Sequence, residues 1–317
     1  MKEPRLIVGI GELLWDMLPN GPRLGGAPAN FSVMAGRLGN RSAILSRIGS
    51  DSLGRQALER LETMPVETGW IETDSIYETG QVTVTFAGSE PHYRIHQPAA
   101  WDYLEATEEW LRLARQADAF CFGTLAQRGE QSRRTIQTLA AETSAACIRV
   151  FDANLRAPFY NADVLQESLE LATVVKMNST EAPLVLDLLD LAEETDKAAF
   201  PALSTEHLRA IAERLLRQYP SLQMVTITRG CSGSLLATRE EWNEHPGFPV
   251  VMADCIGAGD AFTAALTHYL LRGADLATLN EAGNRWGGWM ASQSGAMPAL
   301  PETVREAIAA EIERTAL

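Results

Sequence analysis

Asp260 closes the segment Asp254-Cys255-Ile256-Gly257-Ala258-Gly259-Asp260, whose residue types suit an anion and a proton transfer. Gly257, Ala258 and Gly259 let the backbone turn tightly and approach a ligand closely. The spacing of Phe262, Leu266, Tyr269 and Leu270 makes the following stretch a helix. The loop's N–H groups then sit at a helix N-terminus, where phosphate and developing negative charge are favoured. A carboxylate there can take the proton of a hydroxyl nucleophile. Taken alone, an Asp at a helix start more often serves as a cap.

Four further segments carry ligand-type residues. In Gly25-Gly26-Ala27-Pro28-Ala29-Asn30 the glycines admit a small substrate against the backbone, and Asn30 offers donors and an acceptor for hydroxyls. A plain loop-to-helix connection, with Pro28 in the first turn, fits equally. Asp152-Ala153-Asn154-Leu155-Arg156 follows the apolar run Ile148–Phe151, where α/β sheets place ligands. There Asn154 can bind a hydroxyl and Arg156 can clamp an anion. Asn178-Ser179-Thr180-Glu181 puts an amide and a carboxylate one helical turn apart, an outer shell for Mg²⁺ or, alternatively, a capping sequence. Thr228-Arg229-Gly230-Cys231-Ser232-Gly233 is a glycine-rich turn able to accept phosphates or simply to reverse the chain.

Missing motifs narrow the chemistry. There is no Gly-x-x-x-x-Gly-Lys-[Ser/Thr], no His-Glu-x-x-His and no Gly-x-Ser-x-Gly, and Gly9-Ile10-Gly11 lacks the third glycine of a dinucleotide fingerprint. The four cysteines (Cys121, Cys147, Cys231, Cys255) are scattered, which suggests neither zinc nor a disulfide framework. The 317 residues are 46% hydrophobic and 21% charged, as in a globular protein with a full core. With 27 basic against 41 acidic residues, the net charge is −14, and no Lys/Arg cluster offsets it. Nucleic acid and anionic membrane are therefore not expected as partners. No apolar run reaches the roughly 20 residues of a membrane span, and the opening Met1-Lys2-Glu3-Pro4-Arg5 lacks a signal-peptide core, so a cytoplasmic location is expected.

The elements that must position these residues alternate. Leu6–Ile10, Ser42–Ser46, Ala119–Phe122, Ile148–Phe151, Thr173–Met177 and Met224–Thr228 read as strands buried on both faces. Leu53–Leu61, Leu104–Ala114, Thr135–Ala141 and Leu208–Leu216 read as helices between them. The last third is helical: Ala261–Leu271, Leu276–Gln293 and Val304–Thr315. This order predicts a mostly parallel sheet covered on both faces. Glu12–Leu18, Gln81–Ala87 and His92–His96 break the rhythm, and the strict alternation of Gln81–Ala87 suits a small antiparallel sheet over a cleft or an edge hairpin. The acidic stretch 187–202 reads as a solvated insertion.

The five segments, in their order along the chain, resemble the ribokinase-like (PfkB) carbohydrate kinases, and Gly-Gly-Ala-Pro-Ala-Asn, Ala100-Trp101-Asp102 and Asp-x-Asn-Leu-Arg look most like bacterial fructokinases. Leu38-Gly39 and Gly49-x-Asp51-x-x-Gly54 complete the N-terminal signature. The resemblance implies one ribokinase-like α/β/α domain over residues 1–317, with a discontinuous β lid from about 12–24 and 80–98 that is often used for dimerisation. It implies ATP-dependent phosphorylation of a primary hydroxyl of a small sugar, fructose first. 2-Keto-3-deoxygluconate, ribose or a nucleoside are alternative acceptors, and a catalytically silent binding protein is the alternative outside catalysis.

Asp260 would be the base, with Gly257, Ala258 and Gly259 forming an anion hole. Asp16, Gly25, Gly26 and Asn30 would hold the sugar, and Asn154 and Arg156 the junction with phosphate. Asn178, Thr228, Gly230, Gly233 and Asn284 would flank ATP, and Glu181 would hold Mg²⁺ through water. Asp254 and the Ile256 carbonyl match positions that take a monovalent cation such as K⁺ in some members. Cys255 departs from the family's usual Thr, and a thiol is a weaker hydrogen-bonder.

Overall fold

Leu6–Ile10 (β1) is buried at every residue, and that two-sided burial sets the architecture. A computed structural model describes residues 4–18, 21–87, 90–193 and 203–315. The chain continues through Leu14–Leu18 (β2), Gly21–Gly25 (β3), Ala27–Arg37 (α1), Arg41–Gly49 (β4), Ser52–Leu61 (α2), Ile71–Asp74 (β5), Gly80–Ala87 (β6) and Glu90–Ile95 (β7). Glu108–Gln116 (α3), Ala119–Gly123 (β8), Glu130–Glu142 (α4), Ile148–Asp152 (β9), Ala162–Leu171 (α5), Val174–Asn178 (β10) and Glu181–Leu188 (α6) follow. Thr205–Gln218 (α7), Met224–Thr228 (β11), Ser234–Ala237 (β12), Trp242–His245 (β13), Ala258–Leu270 (α8), Leu276–Ala291 (α9) and Glu302–Thr315 (α10) complete the chain.

The large sheet runs β13-β12-β11-β10-β9-β8-β1-β4-β5, parallel except for β12 and β13. Alternate strand residues feed two cores. Val8, Phe120, Phe122 and Val175 pack with Trp110, Ile136, Leu165 and Leu208 from the helices of one face. Ile7, Cys121 and Val150 pack with Phe31, Phe262, Leu266 and Trp286 from the other. Each such large apolar side chain contributes about 1.5–3 kcal/mol by burial. Because β1 stands mid-sheet, β4 and β5 extend to one side and β8 onward to the other. The crevice over the carboxyl ends of β1 and β8 is thus a topological switch point, where open α/β sheets bind ligands.

A second sheet, in the order β3-β2-β6-β7, stands apart from the first. Its two middle strands leave the main body side by side, with Leu14 opposite Gly80. The return is fixed at Ala100–Tyr103, a 3-10 turn in which Trp101 is fully buried. Arg128 pairs with Asp102 at 2.7 Å and lies 3.9 Å over the Trp101 ring. Ala100-Trp101-Asp102 therefore acts as an anchor between the sheets.

The helix expected over Leu104–Ala114 starts instead at Glu108, because Leu104 is extended and Thr107 caps the helix by accepting the Trp110 N–H. In the stretch 187–202, α6 runs on to Leu188, and 194–202 fall outside the described residues. Gly88 and Ser89, the expected turn between β6 and β7, also fall outside them. Among the described residues no helix is long and apolar enough to cross a membrane.

Candidate active site

Asp260 lies in the first turn of α8, and its Oδ2 accepts a hydrogen bond from Asn30 Nδ2 at 2.7 Å. That contact joins segments 230 residues apart. Asn30 is buried, and its Oδ1 has no hydrogen-bond partner. A buried orphan acceptor is unfavourable unless something donates to it. A substrate hydroxyl could do so.

The segments on either side hold their shape for steric reasons. Gly26 has φ 113°, and a Cβ there would lie 2.2 Å from the Glu12 carbonyl oxygen. Gly257 has φ 78°, and a Cβ there would meet Ala296 at 2.8 Å. Both positions require glycine. Among the described residues the Gly257 and Gly259 N–H groups have no acceptor, whereas Ala258 N–H donates to the Cys255 carbonyl at 3.3 Å. The expected three-amide anion hole is thus two free donors and one weakly engaged.

Burial, reinforced by the nearby Asp152 charge, raises the Asp260 carboxyl to about 6, against the pull of Asn30, Lys176 and Arg156. Asp16 on β2 is likewise raised to about 6 by burial, although the Arg156 charge lowers it. Gly25 leaves room beside it, since a Cβ there would sit 3.1 Å from Asp16 Oδ2. Asn154 follows β9 with φ 37°, and Arg156 is exposed yet close enough to act on Asp16 and Asp260.

On the opposite flank the candidates are more committed. Asn178 Oδ1 accepts the Thr180 and Glu181 N–H groups at 2.9 Å, so it caps α6. Glu181 Oε1 and Oε2 accept the Leu155 and Asn178 N–H groups, each at 2.8 Å. The carboxylate thereby ties two of the loops together. Thr228 closes β11 beside Asn178. Gly230 and Gly233 have φ 58° and 82°, shaping the turn before β12. Asn284 is buried, and its Nδ2 donates to Ser234 Oγ and to Asn280, leaving only its oxygen for a ligand.

Three residues without an assigned role in the sequence reading complete the site. Glu12 is buried just after β1 and accepts the Ala27 N–H at 3.2 Å, holding the start of α1. Burial raises its carboxyl to about 7, and the Asp260 charge adds to the rise. Lys176 is a buried cation within β10, 3.1 Å from both oxygens of Asp152. A Cβ on Gly259 would lie 2.9 Å from its Nζ, so the pair sits directly behind the loop. Burial alone would lower Lys176, but Asp152, Glu181 and Asp260 outweigh it and hold the ammonium charged. Arg23 on β3 donates to Asp254 at 2.7 Å. A lysine inside an otherwise apolar strand signals a buried partner, so Lys176 was detectable from sequence. Arg23 left no such signal.

The site thus combines a glycine loop at a helix N-terminus with a half-buried carboxylate, and the loops of β9, β10 and β11 beside it. The sequence matches the pfkB family of carbohydrate kinases over residues 21–303. The chain belongs to that family. It is 29% identical to an uncharacterized sugar kinase of Pyrococcus horikoshii, over 88% of this chain and 87% of that one. Fructokinase-2 of Solanum habrochaites is 29% identical over 96% of this chain and 95% of its own. The ATP-bound fructokinase of Xylella fastidiosa superimposes with a TM-score of 0.80 at 22% identity, covering 97% and 99% of the two chains. The chain is accordingly an ATP-dependent carbohydrate kinase with the ribokinase-like fold.

Proposed function

We propose that this kinase transfers the γ-phosphoryl group of ATP to a primary hydroxyl of a neutral sugar, fructose first, with Asp260 as general base. The observation that carries the reading is the Asn30–Asp260 hydrogen bond. It brings the Gly-Gly loop, suited to a sugar, against the carboxylate of the loop suited to phosphate. A hydroxyl seated at Asn30 Oδ1 would stand next to the atom that must take its proton. Similarity to fructokinases supports fructose. So does the charge of the pocket. Asp16 and Asp260 would repel a sugar carboxylate, and Arg23 and Arg128 already hold carboxylates of their own, while Arg156 is assigned to the phosphates.

In the reaction, Asp16, Gly25, Gly26 and Asn30 bind the sugar, and Asn154 and Arg156 orient the junction with the phosphates. Thr228, Gly230, Gly233 and Asn284 border the nucleotide. The small sheet acts as a lid that excludes water, so that the sugar rather than solvent receives the phosphoryl group. The Gly257 and Gly259 amides stabilise charge on the transferring group, each such donor being worth about 2.7–4 kcal/mol in comparable sites. Mg²⁺, when bound, neutralises charge on the phosphate oxygens. The donors present suit it: Glu181 has both oxygens on backbone amides, so it and Asn178 would hold the ion through water.

The raised Asp260 carboxyl fixes a pH dependence. The base works only when ionised, so kcat/KM for the sugar should be flat above pH 7. It should fall as pH drops through about 6, where Asp260 takes up a proton. A profile that stays flat to pH 5 would remove Asp260 from the base role. The acceptor is tested by ADP release from MgATP across hexoses, pentoses, sugar acids and nucleosides. The highest kcat/KM is expected for fructose; a sugar acid or nucleoside in first place would overturn that choice. Silence with every acceptor would turn the chain into a binding protein.

A further inference from the structure

Arg23 stands on β3 directly opposite Asp16 on β2, so both side chains share one face of the small sheet. Arg23 Nη1 reaches across to Asp254 Oδ2 at 2.7 Å, with side-chain exposures of 30% and 17%. Two backbone donors complete the carboxylate's shell. Gly295 N–H donates to Oδ2 at 3.2 Å, and Ile256 N–H donates to Oδ1 at 3.0 Å. Gly295 precedes Ala296, the residue packed against Gly257. The Asp254 carboxylate therefore ties together three segments: the small sheet, the stretch after α9 and the anion loop itself.

The family resemblance makes Asp254 and the Ile256 carbonyl the expected seat of a monovalent cation. The Asp254 carboxylate does not fit that role. A directly coordinated cation needs bare oxygen acceptors, and here the carboxylate already faces a guanidinium and two N–H donors. The guanidinium is tethered to the chain within hydrogen-bond reach of the carboxylate, so a dissolved ion competes poorly with it.

We propose that Arg23 is the built-in cation of the anion loop, replacing the dissolved monovalent ion and making phosphoryl transfer independent of K⁺. The inference rests on the kinase reading. It adds that seating the small sheet and ordering the loop are one event, because the same ion pair does both.

The test compares wild type with Arg23→Met in buffers whose monovalent cation is K⁺, Na⁺ or tetramethylammonium at equal ionic strength. ADP release and, without substrate, the melting temperature are measured. Wild type should give the same rate and Tm in all three. Arg23→Met should lose about tenfold in kcat in tetramethylammonium, as expected for a lost charged hydrogen bond. K⁺ should restore much of that loss and raise the Tm of the variant only. The proposal is overturned if K⁺ clearly stimulates wild type. It is also overturned if Arg23→Met keeps the wild-type rate without K⁺, or if K⁺ neither restores its rate nor raises its Tm. Should no acceptor release ADP from wild type, the kinase reading fails on its own, and the Tm comparison still decides the cation.

Discussion

Asp260→Asn is expected to lower kcat by about 10²–10⁴-fold, the usual contribution of a positioned base. It should leave the chain as stable as wild type, or more stable, at neutral pH. The two effects have one origin. Burial raises the Asp260 carboxyl from 3.8 to about 6, so the folded state disfavours the very charge that catalysis needs. A carboxyl raised in this way opposes folding increasingly as pH climbs through its unfolded value, and the penalty is complete above about 6. Asn removes it and can still accept the Asn30 hydrogen bond through its carbonyl oxygen. Melting curves should therefore show the variant gaining on wild type between pH 4 and pH 7, with no difference at the acid end. A variant that retains most of its activity would show that the proton leaves by another route.

Lys176→Met should be the most damaging single change to stability. The ammonium lies 3.1 Å from both Asp152 oxygens, with the lysine and aspartate side chains each 7% exposed. Removing one partner of a buried pair strands the other charge, which costs about 3–5 kcal/mol. Here the stranded carboxylate also raises Asp260 further, since Asp152 already acts on it in that direction and Lys176 opposes it. Urea unfolding should give the loss of stability, and the acid limb of kcat/KM should move to higher pH. The double variant Lys176→Met with Asp152→Asn leaves no stranded charge and should recover much of the stability. If the single variant were as stable as wild type, the pair would be ornamental and the electrostatics of the loop would need another account.

The parallel strands were legible because burial on both faces leaves continuous apolar runs such as Leu6–Ile10 and Ala119–Phe122. The edge strands were not. Ile71–Asp74 and Trp242–His245 mix charged and exposed residues with buried or half-buried ones, as an edge permits. Gly257 and Gly26 announced themselves through residue type, since only glycine suits their φ and their neighbours. Amide side chains were legible only in part. Asn178 and Asn284 resemble ligand contacts in sequence, and sequence did not reveal that the first also caps a helix and the second also donates into a buried network with Ser234 and Asn280. Arg23 was invisible because its partner lies 231 residues away. Such pairings follow from how the small sheet folds over the large one, which no local pattern encodes.

The central claim is that the phosphoryl group passes to a sugar hydroxyl by way of Asp260. Phosphorus-31 NMR of the wild-type chain with MgATP and fructose tests it most directly. The account predicts a sugar phosphomonoester on a primary hydroxyl, formed in step with ADP and formed about 10²–10⁴-fold more slowly with Asp260→Asn. ADP accompanied by inorganic phosphate instead, or the same monoester from the variant at the wild-type rate, would contradict it.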